Sequence, residues 1–230
     1  MPDLWIPWGM GRAGAMLAAV ALALVLAAVL DRTAYRLPRA LDPHISNERT
    51  PFHRHCRLAF WTAGPVLAIV WAWLLGPTLA AAAAIACTMV LLALAWIDAE
   101  TGLLPDSLSL SLLWLGLLVN LQGGFTPLPD AVLGAVAGYL VLWCVCRLFL
   151  LLTGRMGMGH GDFKLLAALG AWLGWMCLPW VLLISSCAAL AAALGLRLAG
   201  RMQKGEPVFF GPYLAGAGIL VLLRLAAGSA

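Results

Sequence analysis

Two aspartates, each beside a long apolar run, are the residues best suited to acid–base chemistry. Asp98 closes an uncharged stretch that begins at residue 58, and Asp162 follows the glycine-spaced turn 157–161. A carboxylate costs about 2.5–3.5 kcal/mol at mid-membrane and less towards the interface. Two adjacent carboxylates cannot both ionise cheaply, so such a pair tends to share one proton. A pair of this kind can activate a water molecule and protonate a leaving amine.

Each acid also has a purely structural interpretation. Asp98 could simply mark the end of a helix, and Asp162 and Asp106 could cap the helices that follow them, since Asp is a favoured N-cap residue. If Asp98 lies at the C-terminus of one helix and Asp162 at the N-terminus of another, the helix macrodipole disfavours a negative charge on Asp98 and favours one on Asp162. The sequence therefore predicts that Asp162 is the resting carboxylate and that Asp98 holds the proton.

The elements that must position these acids are transmembrane helices. The chain has 230 residues, of which 63% are hydrophobic and 10% charged, whereas soluble domains carry about 25% charged residues. Its apolar runs are long enough to cross a bilayer, which takes roughly 20 residues. These runs are continuously apolar, whereas the strands of a β-barrel alternate apolar and polar residues. We predict one all-α domain over residues 1–230, a polytopic helical bundle in the lipid bilayer. The net charge of +4 then reports topology and does not indicate nucleic-acid binding.

Eight spans are expected, with breaks at Gly76-Pro77 and before Pro179. Residues 31–57 are the one sizeable hydrophilic loop. The expected helices cover about residues 13–30, two segments within 58–97, 107–121, 131–152, a sixth from Phe163, a seventh ending near Arg197 and an eighth after Pro212.

The basic residues predict the orientation, because cytoplasmic loops carry the excess of Lys and Arg. Only Arg12 and Arg224 fall on the opposite side, and Arg147 lies within the fifth helix. Asp98 and Asp162 are therefore expected at the cytoplasmic edge, where eight spans would also put the following residues: Arg32, Arg36, Arg39, Arg49, Arg54, Arg57, Arg155, Lys164, Arg197, Arg201 and Lys204.

Five sequence segments closely resemble the type IV prepilin peptidases, integral-membrane aspartyl proteases of the GxGD kind. The segments are IDAETGLLPD (97–106), LLWLGL (112–117), GMGHGDFKLLA (157–167), GAW (170–172) and FGPYLA (210–215).

The resemblance implies removal of the short basic leader from type IV prepilins or type II secretion pseudopilins, at the cytoplasmic face of the bacterial inner membrane. It also implies that Asp98 and Asp162 are the catalytic pair. Gly159 and Gly161 would support them. With Gly157, they could let the backbone approach the substrate closely or take positive φ. Lys164 matches a family position to which we assign no particular role.

The chain departs from the fuller family pattern in residues 31–57. Many members carry two CxxC pairs here, a zinc site tied to N-methylation of the new amino terminus, whereas this segment contains only Cys56. His53, His55 and Cys56 are candidate metal ligands, but solvated loop residues are the preferred interpretation, so no metal is expected. The peptidase needs no cofactor, and S-adenosylmethionine enters only if methylase activity is retained.

Two other classes of function compete with a peptidase. Intramembrane acids often serve proton-coupled transport. A transporter, however, predicts carboxylates nearer mid-span and internal repeats, and neither feature is evident in the sequence. A structural assembly factor would leave the buried acid unexplained. The sequence indicates neither the client pilin nor the oligomeric state.

Overall fold

The structure is a computed structural model that describes residues 9, 11–45, 50–154, 159–200 and 208–229. Within these ranges the chain is helical and contains no strand, so the expected all-α fold is confirmed. The eight α-helices are α1 (Arg12–Leu41), α2 (Pro51–Leu75), α3 (Leu79–Thr101), α4 (Asp106–Leu121), α5 (Leu128–Thr153), α6 (His160–Leu173), α7 (Leu178–Leu198) and α8 (Gly211–Ser229).

Six of these helices are long and apolar enough to cross a membrane: α1, α2, α3, α5, α7 and α8. α4 has 16 residues and α6 has 14. At 1.5 Å per residue these two helices reach only about 24 Å and 21 Å, less than the roughly 30 Å hydrocarbon layer. The protein is a multi-pass helical bundle, and two of its eight helices are shorter than a full span.

The prediction of a hydrophilic loop over residues 31–57 is wrong for most of that range. α1 continues to Leu41 and α2 begins at Pro51, so only residues 42–50 separate them. Part of the polar composition belongs to the exposed face of the last turns of α1, and part to the first turns of α2. Ala34 and Pro38 of α1 are buried, while Arg32 and Arg36 are exposed, the alternation of an amphipathic helix end.

The expected helix breaks are confirmed. Gly76 ends α2 with φ +65°, and Gly174 ends α6 with φ +77°, a region that non-glycine residues rarely adopt. A short 3₁₀ turn at Trp175–Cys177 then leads into α7, where Pro179 lies in the first turn. Proline is tolerated there because its missing N–H would have had no helical partner.

The short helix α6 lies in the middle of the bundle. Every residue from 165 to 173 is buried. The helix packs closely on α5, because a Cβ on Gly170 would collide with the backbone of Gly134, and a Cβ on Gly138 would lie 2.6 Å from the carbonyl oxygen of Leu166. Helices this close need residues without side chains at the crossing.

Side chains also tie α6 to α4. The indole N–H of Trp172 donates to the carbonyl oxygen of Leu112 at 2.9 Å, and Asn120 donates to the carbonyl oxygen of Ala171 at 2.7 Å. All of these groups are buried, so each hydrogen bond also satisfies a polar group that would otherwise be costly to bury. The helix that carries Asp162 is thus fixed on two sides.

Candidate active site

Asp98 lies in the last turn of α3, with 5% of its surface exposed. Gly102 ends the helix in the left-handed region at φ +67°, and its N–H donates to the backbone carbonyl of Asp98 at 2.8 Å. A Cβ on Gly102 would lie 2.6 Å from Phe209. The helix therefore ends within one turn of Asp98, where Phe209, in the segment that precedes α8, packs against Gly102.

The carboxylate of Asp98 accepts a backbone hydrogen bond from α8. The N–H of Gly211, the first residue of that helix, donates to Asp98 Oδ2 at 2.9 Å. A Cβ on Gly211 would lie 2.5 Å from that oxygen, so only glycine permits the approach. A helix N-terminus stabilises negative charge. Sequence reasoning missed this role of Gly211, although the FGPY segment was noted.

Asp162 is the third residue of α6 and is 7% exposed. The N-cap position belongs to Gly159, and no side chain caps the helix. α6 thus begins three residues earlier than expected, and the N-cap interpretation of Asp162 is wrong. The side-chain atom Oδ1 is buried without a hydrogen-bond partner among the described residues. A buried polar atom left in this way is unusual in a structural role.

Asp98 and Asp162 line the same cavity, which has a volume of about 550 Å³. Gly159 and Gly102 form part of its wall. The remaining wall is small or apolar: Ser186, Ala189, Leu190 and Ala193 of α7, with Val208, Phe209 and Phe210 before α8. The structure therefore brings two acids, 64 positions apart in the sequence, to one cavity between α3, α6 and α7.

The two described glycines of the turn, Gly159 and Gly161, do not use positive φ. Gly159 has φ −74°, and Gly161 is helical. Gly161 instead allows a close contact within the protein, because a Cβ there would lie 2.6 Å from the Cβ of Leu104. Of these two glycines, only Gly159 lines the cavity. Gly157, which carried the same expectation, lies outside the described residues.

Lys164 contacts neither aspartate of the cavity. Its ammonium group forms an ion pair with Asp106, at 2.6 Å from both carboxylate oxygens. The capping role expected for Asp106 is wrong, since Pro105 holds the N-cap position of α4 and no side chain caps that helix. The pair joins the beginnings of α4 and α6.

A buried polar cluster that the sequence did not suggest surrounds Glu100. Its carboxylate accepts from Arg39 at 3.1 Å and from the indole of Trp96 at 2.9 Å, and it lies 2.8 Å from Nδ1 of His53. The side chains of Arg39, His53 and Glu100 are 8%, 3% and 11% exposed. Three helices, α1, α2 and α3, therefore meet one turn from Asp98.

The candidate metal ligands do not converge. His53 contacts Glu100, and Nδ1 of His55 lies 2.7 Å from the carbonyl oxygen of Pro51. Across the described part of the chain, no group of three His, Cys, Asp or Glu residues could hold a metal ion. The donors that a zinc site requires are thus not assembled by these residues.

Eight helices that hold two buried carboxylates on one cavity define a multi-pass membrane protein with a dicarboxylate site. The model of the type IV leader peptidase family matches residues 85–196, which include both acids. This segment of the chain is similar to that family, and the match supports the type IV prepilin peptidase resemblance.

Individual relatives agree with this assignment. The chain is 56% identical to the prepilin leader peptidase/N-methyltransferase of Aeromonas salmonicida (strain A449) over 158 residues, 69% of this chain and 54% of the relative. It is 50% identical to the protein of the same name from Burkholderia pseudomallei (strain K96243) over 176 residues, 74% of this chain and 57% of the relative.

The chain thus spans about half the length of the curated relatives it matches. No solved structure matches. The comparisons give no support to the transporter alternative.

Proposed function

We propose that this protein is a membrane aspartyl endopeptidase that removes the leader from type IV prepilins or type II secretion pseudopilins. The observation that carries the proposal is the placement of Asp98 and Asp162 on one cavity. The names of the relatives supply the substrate class.

The hydrogen bonds favour a division of labour opposite to the sequence expectation. Asp98 accepts the N–H of Gly211 at the beginning of α8, which favours its ionised form. Oδ1 of Asp162 has no hydrogen-bond partner among the described residues. Burying such an oxygen costs less free energy in a neutral carboxyl group than in a charged one. We assign Asp98 as the base and Asp162 as the acid, and both still titrate as one unit.

The reaction then follows from these two states. Asp98 takes a proton from a water molecule as the water oxygen bonds to the scissile carbonyl carbon, while Asp162 donates its proton to the carbonyl oxygen. As the C–N bond breaks, the proton on Asp98 passes to the leaving amine, and a hydroxyl proton of the diol intermediate returns to Asp162. Both aspartates end the cycle as they began it.

The cavity suits the junction of a basic leader and an apolar helix. The acids provide the only charged side chains of its wall among the described residues, while α7 contributes Ala189, Leu190 and Ala193. Opposite charge would attract the leader. The substrate's apolar helix would lie in the bilayer beside α7.

We assign the site to the cytoplasmic edge of the bacterial inner membrane. The ends of α1 and α7 and the beginning of α2 share the excess of Arg, which supports this orientation by the positive-inside rule. Arg49, Arg155, Arg201 and Lys204, which enter the same argument, lie outside the described residues.

N-methylation of the product is a second candidate activity, favoured by the names of the relatives. The described residues do not fit the groups it would require. A zinc site is not assembled, and the polar cavity between α1 and α2 is lined by three arginines, whose charge opposes the sulfonium cation of S-adenosylmethionine. We therefore derive no methyl-transfer step.

The test of the peptidase is cleavage of a co-expressed prepilin. Asp98→Ala and Asp162→Ala should each abolish leader removal while the protein still inserts. Asp130→Ala is the matched control, since Asp130 lies in the first turn of α5 and contacts Trp175 rather than the cavity. Full processing by either of the first two variants contradicts the proposal. Mass spectrometry of the new N-terminus tests methylation in the same sample.

A further inference from the structure

A second polar cavity opens between α1 and α2, away from the paired aspartates. Its volume is about 340 Å³. The wall contains three arginines and one carboxylate, and the full set of lining residues is Asp31, Arg32, Tyr35, Arg36, His53 and Arg57. None of these residues lines the cavity of Asp98 and Asp162.

The cavity carries an excess of positive charge. Arg57 binds Asp31 through two hydrogen bonds of 2.8 Å and 2.9 Å, which neutralises that pair. Arg32 and Arg36 are exposed, and neither guanidinium group forms a hydrogen bond or an ion pair among the described residues. They are four residues apart on α1, so both guanidinium groups project from one face of the helix.

The length of α1 puts this cavity at the level of the lipid headgroups. The charge-free run from residue 13 to residue 30 reaches about 27 Å at 1.5 Å per residue, close to the roughly 30 Å thickness of the hydrocarbon layer. Arg32 and Arg36 follow that run by less than two turns. α2 agrees, because Arg57 is its last charged residue before an uncharged stretch that continues to its end.

We propose that Arg32 and Arg36 bind the phosphate of an anionic lipid headgroup in this cavity. Guanidinium groups match phosphate oxygens in charge and geometry. Basic pockets between transmembrane helices are suited to anionic lipid headgroups. The charge-free wall below the arginines, on α1 and α2, would contact the acyl chains. The inference does not depend on the peptidase activity.

The test uses the full chain in phosphatidylcholine nanodiscs that contain a small fraction of phosphatidylglycerol. Native mass spectrometry after partial delipidation counts the phosphatidylglycerol molecules that remain bound. Replacing Arg32 and Arg36 with Gln should lower the affinity about 30-fold, about fivefold for each arginine. Arg197→Gln is the matched control, because Arg197 is an exposed arginine in the last turn of α7 and does not line the cavity.

Three results would overturn the assignment. The double variant could retain as much phosphatidylglycerol as the Arg197→Gln control, or the control could lose as much as the double variant. Inorganic phosphate could also raise the melting temperature of the wild-type protein in pure phosphatidylcholine nanodiscs as far as phosphatidylglycerol does, which would assign the site to a soluble anion. All three substitutions replace exposed side chains, so a normal far-ultraviolet spectrum is expected for the double variant and for the control.

Discussion

The N–H of Gly211 lies 2.9 Å from Oδ2 of Asp98, although the two residues are 113 positions apart in the chain. The contact attaches the end of α3 to the beginning of α8 at the wall of the proposed active-site cavity. It places a hydrogen-bond donor and the positive end of a helix against one of the two acids. Gly211 is therefore the residue that most directly sets the charge state of the proposed base.

The first prediction concerns this contact. Gly211→Ala would put a Cβ 2.5 Å from Oδ2 of Asp98 and displace the carboxylate. A hydrogen bond to a charged group contributes about 1.5–3 kcal/mol, so the cleavage rate should fall about 10- to 100-fold. The measurement is the initial rate of prepilin cleavage by purified protein.

Gly216→Ala is the control for this change. It lies in the same helix, and a Cβ there meets no atom within 4 Å. We expect it to cleave at the wild-type rate. Equal rates for the two alanine variants would show that the hydrogen bond to Asp98 has no part in catalysis.

The second prediction concerns the charges around Glu100. Removing one partner of a buried ion pair costs about 3–5 kcal/mol. Glu100→Gln should therefore lower the melting temperature markedly. Asp31→Asn breaks the exposed pair with Arg57, which should cost no more than about 1 kcal/mol.

Thermal unfolding in one detergent compares the two variants. A loss from Asp31→Asn as large as that from Glu100→Gln would contradict the assignment of Glu100 as the main electrostatic link among α1, α2 and α3. The comparison is matched, since each change replaces one carboxylate by its amide and removes one arginine contact.

The helical fold and the two acids could be predicted because the signals are local. A charged residue beside an apolar run, as at Asp98, stands out in a chain with so few charges. Gly76 and Pro179 likewise end or begin helices by their own backbone properties. These features need no knowledge of which helices are neighbours.

The contacts of the site could not be predicted because they join distant segments. Gly211 donates through its backbone, a group that every residue except proline carries, so the sequence does not mark it. The sequence likewise gives no sign of the cluster at Glu100, because its partners Arg39 and His53 lie on other helices. The extension of α1 was missed for a local reason, since Pro38 and the arginines there are also typical of a loop.

The third prediction concerns the packing that holds α6 in place. Gly134→Ala would place a Cβ within collision distance of the backbone of Gly170. Backbone atoms cannot move aside as the end of a flexible side chain can. Overpacking of this kind costs about 1–3 kcal/mol or more. We expect a clear loss of melting temperature and of accumulated protein.

Gly195→Ala serves as the control, because a Cβ there meets nothing within 4 Å and alanine is the better helix former. It should leave the melting temperature unchanged or raise it slightly. If Gly134→Ala proved as stable as Gly195→Ala, the close crossing of α5 and α6 would not be the constraint that positions Asp162.

The last prediction separates Lys164 from the proposed catalytic pair. Its ammonium group binds Asp106 and does not line the cavity, so Lys164→Met should leave the cleavage rate close to that of the wild type. The pair is partly exposed, and such pairs contribute about 0–1 kcal/mol. A double-mutant cycle of Lys164→Met with Asp106→Asn, followed by thermal unfolding, should give a coupling energy of that size. A rate as low as that of Asp162→Ala would instead require Lys164 to act on the reacting groups, because the loss of a weak ion pair could not account for it.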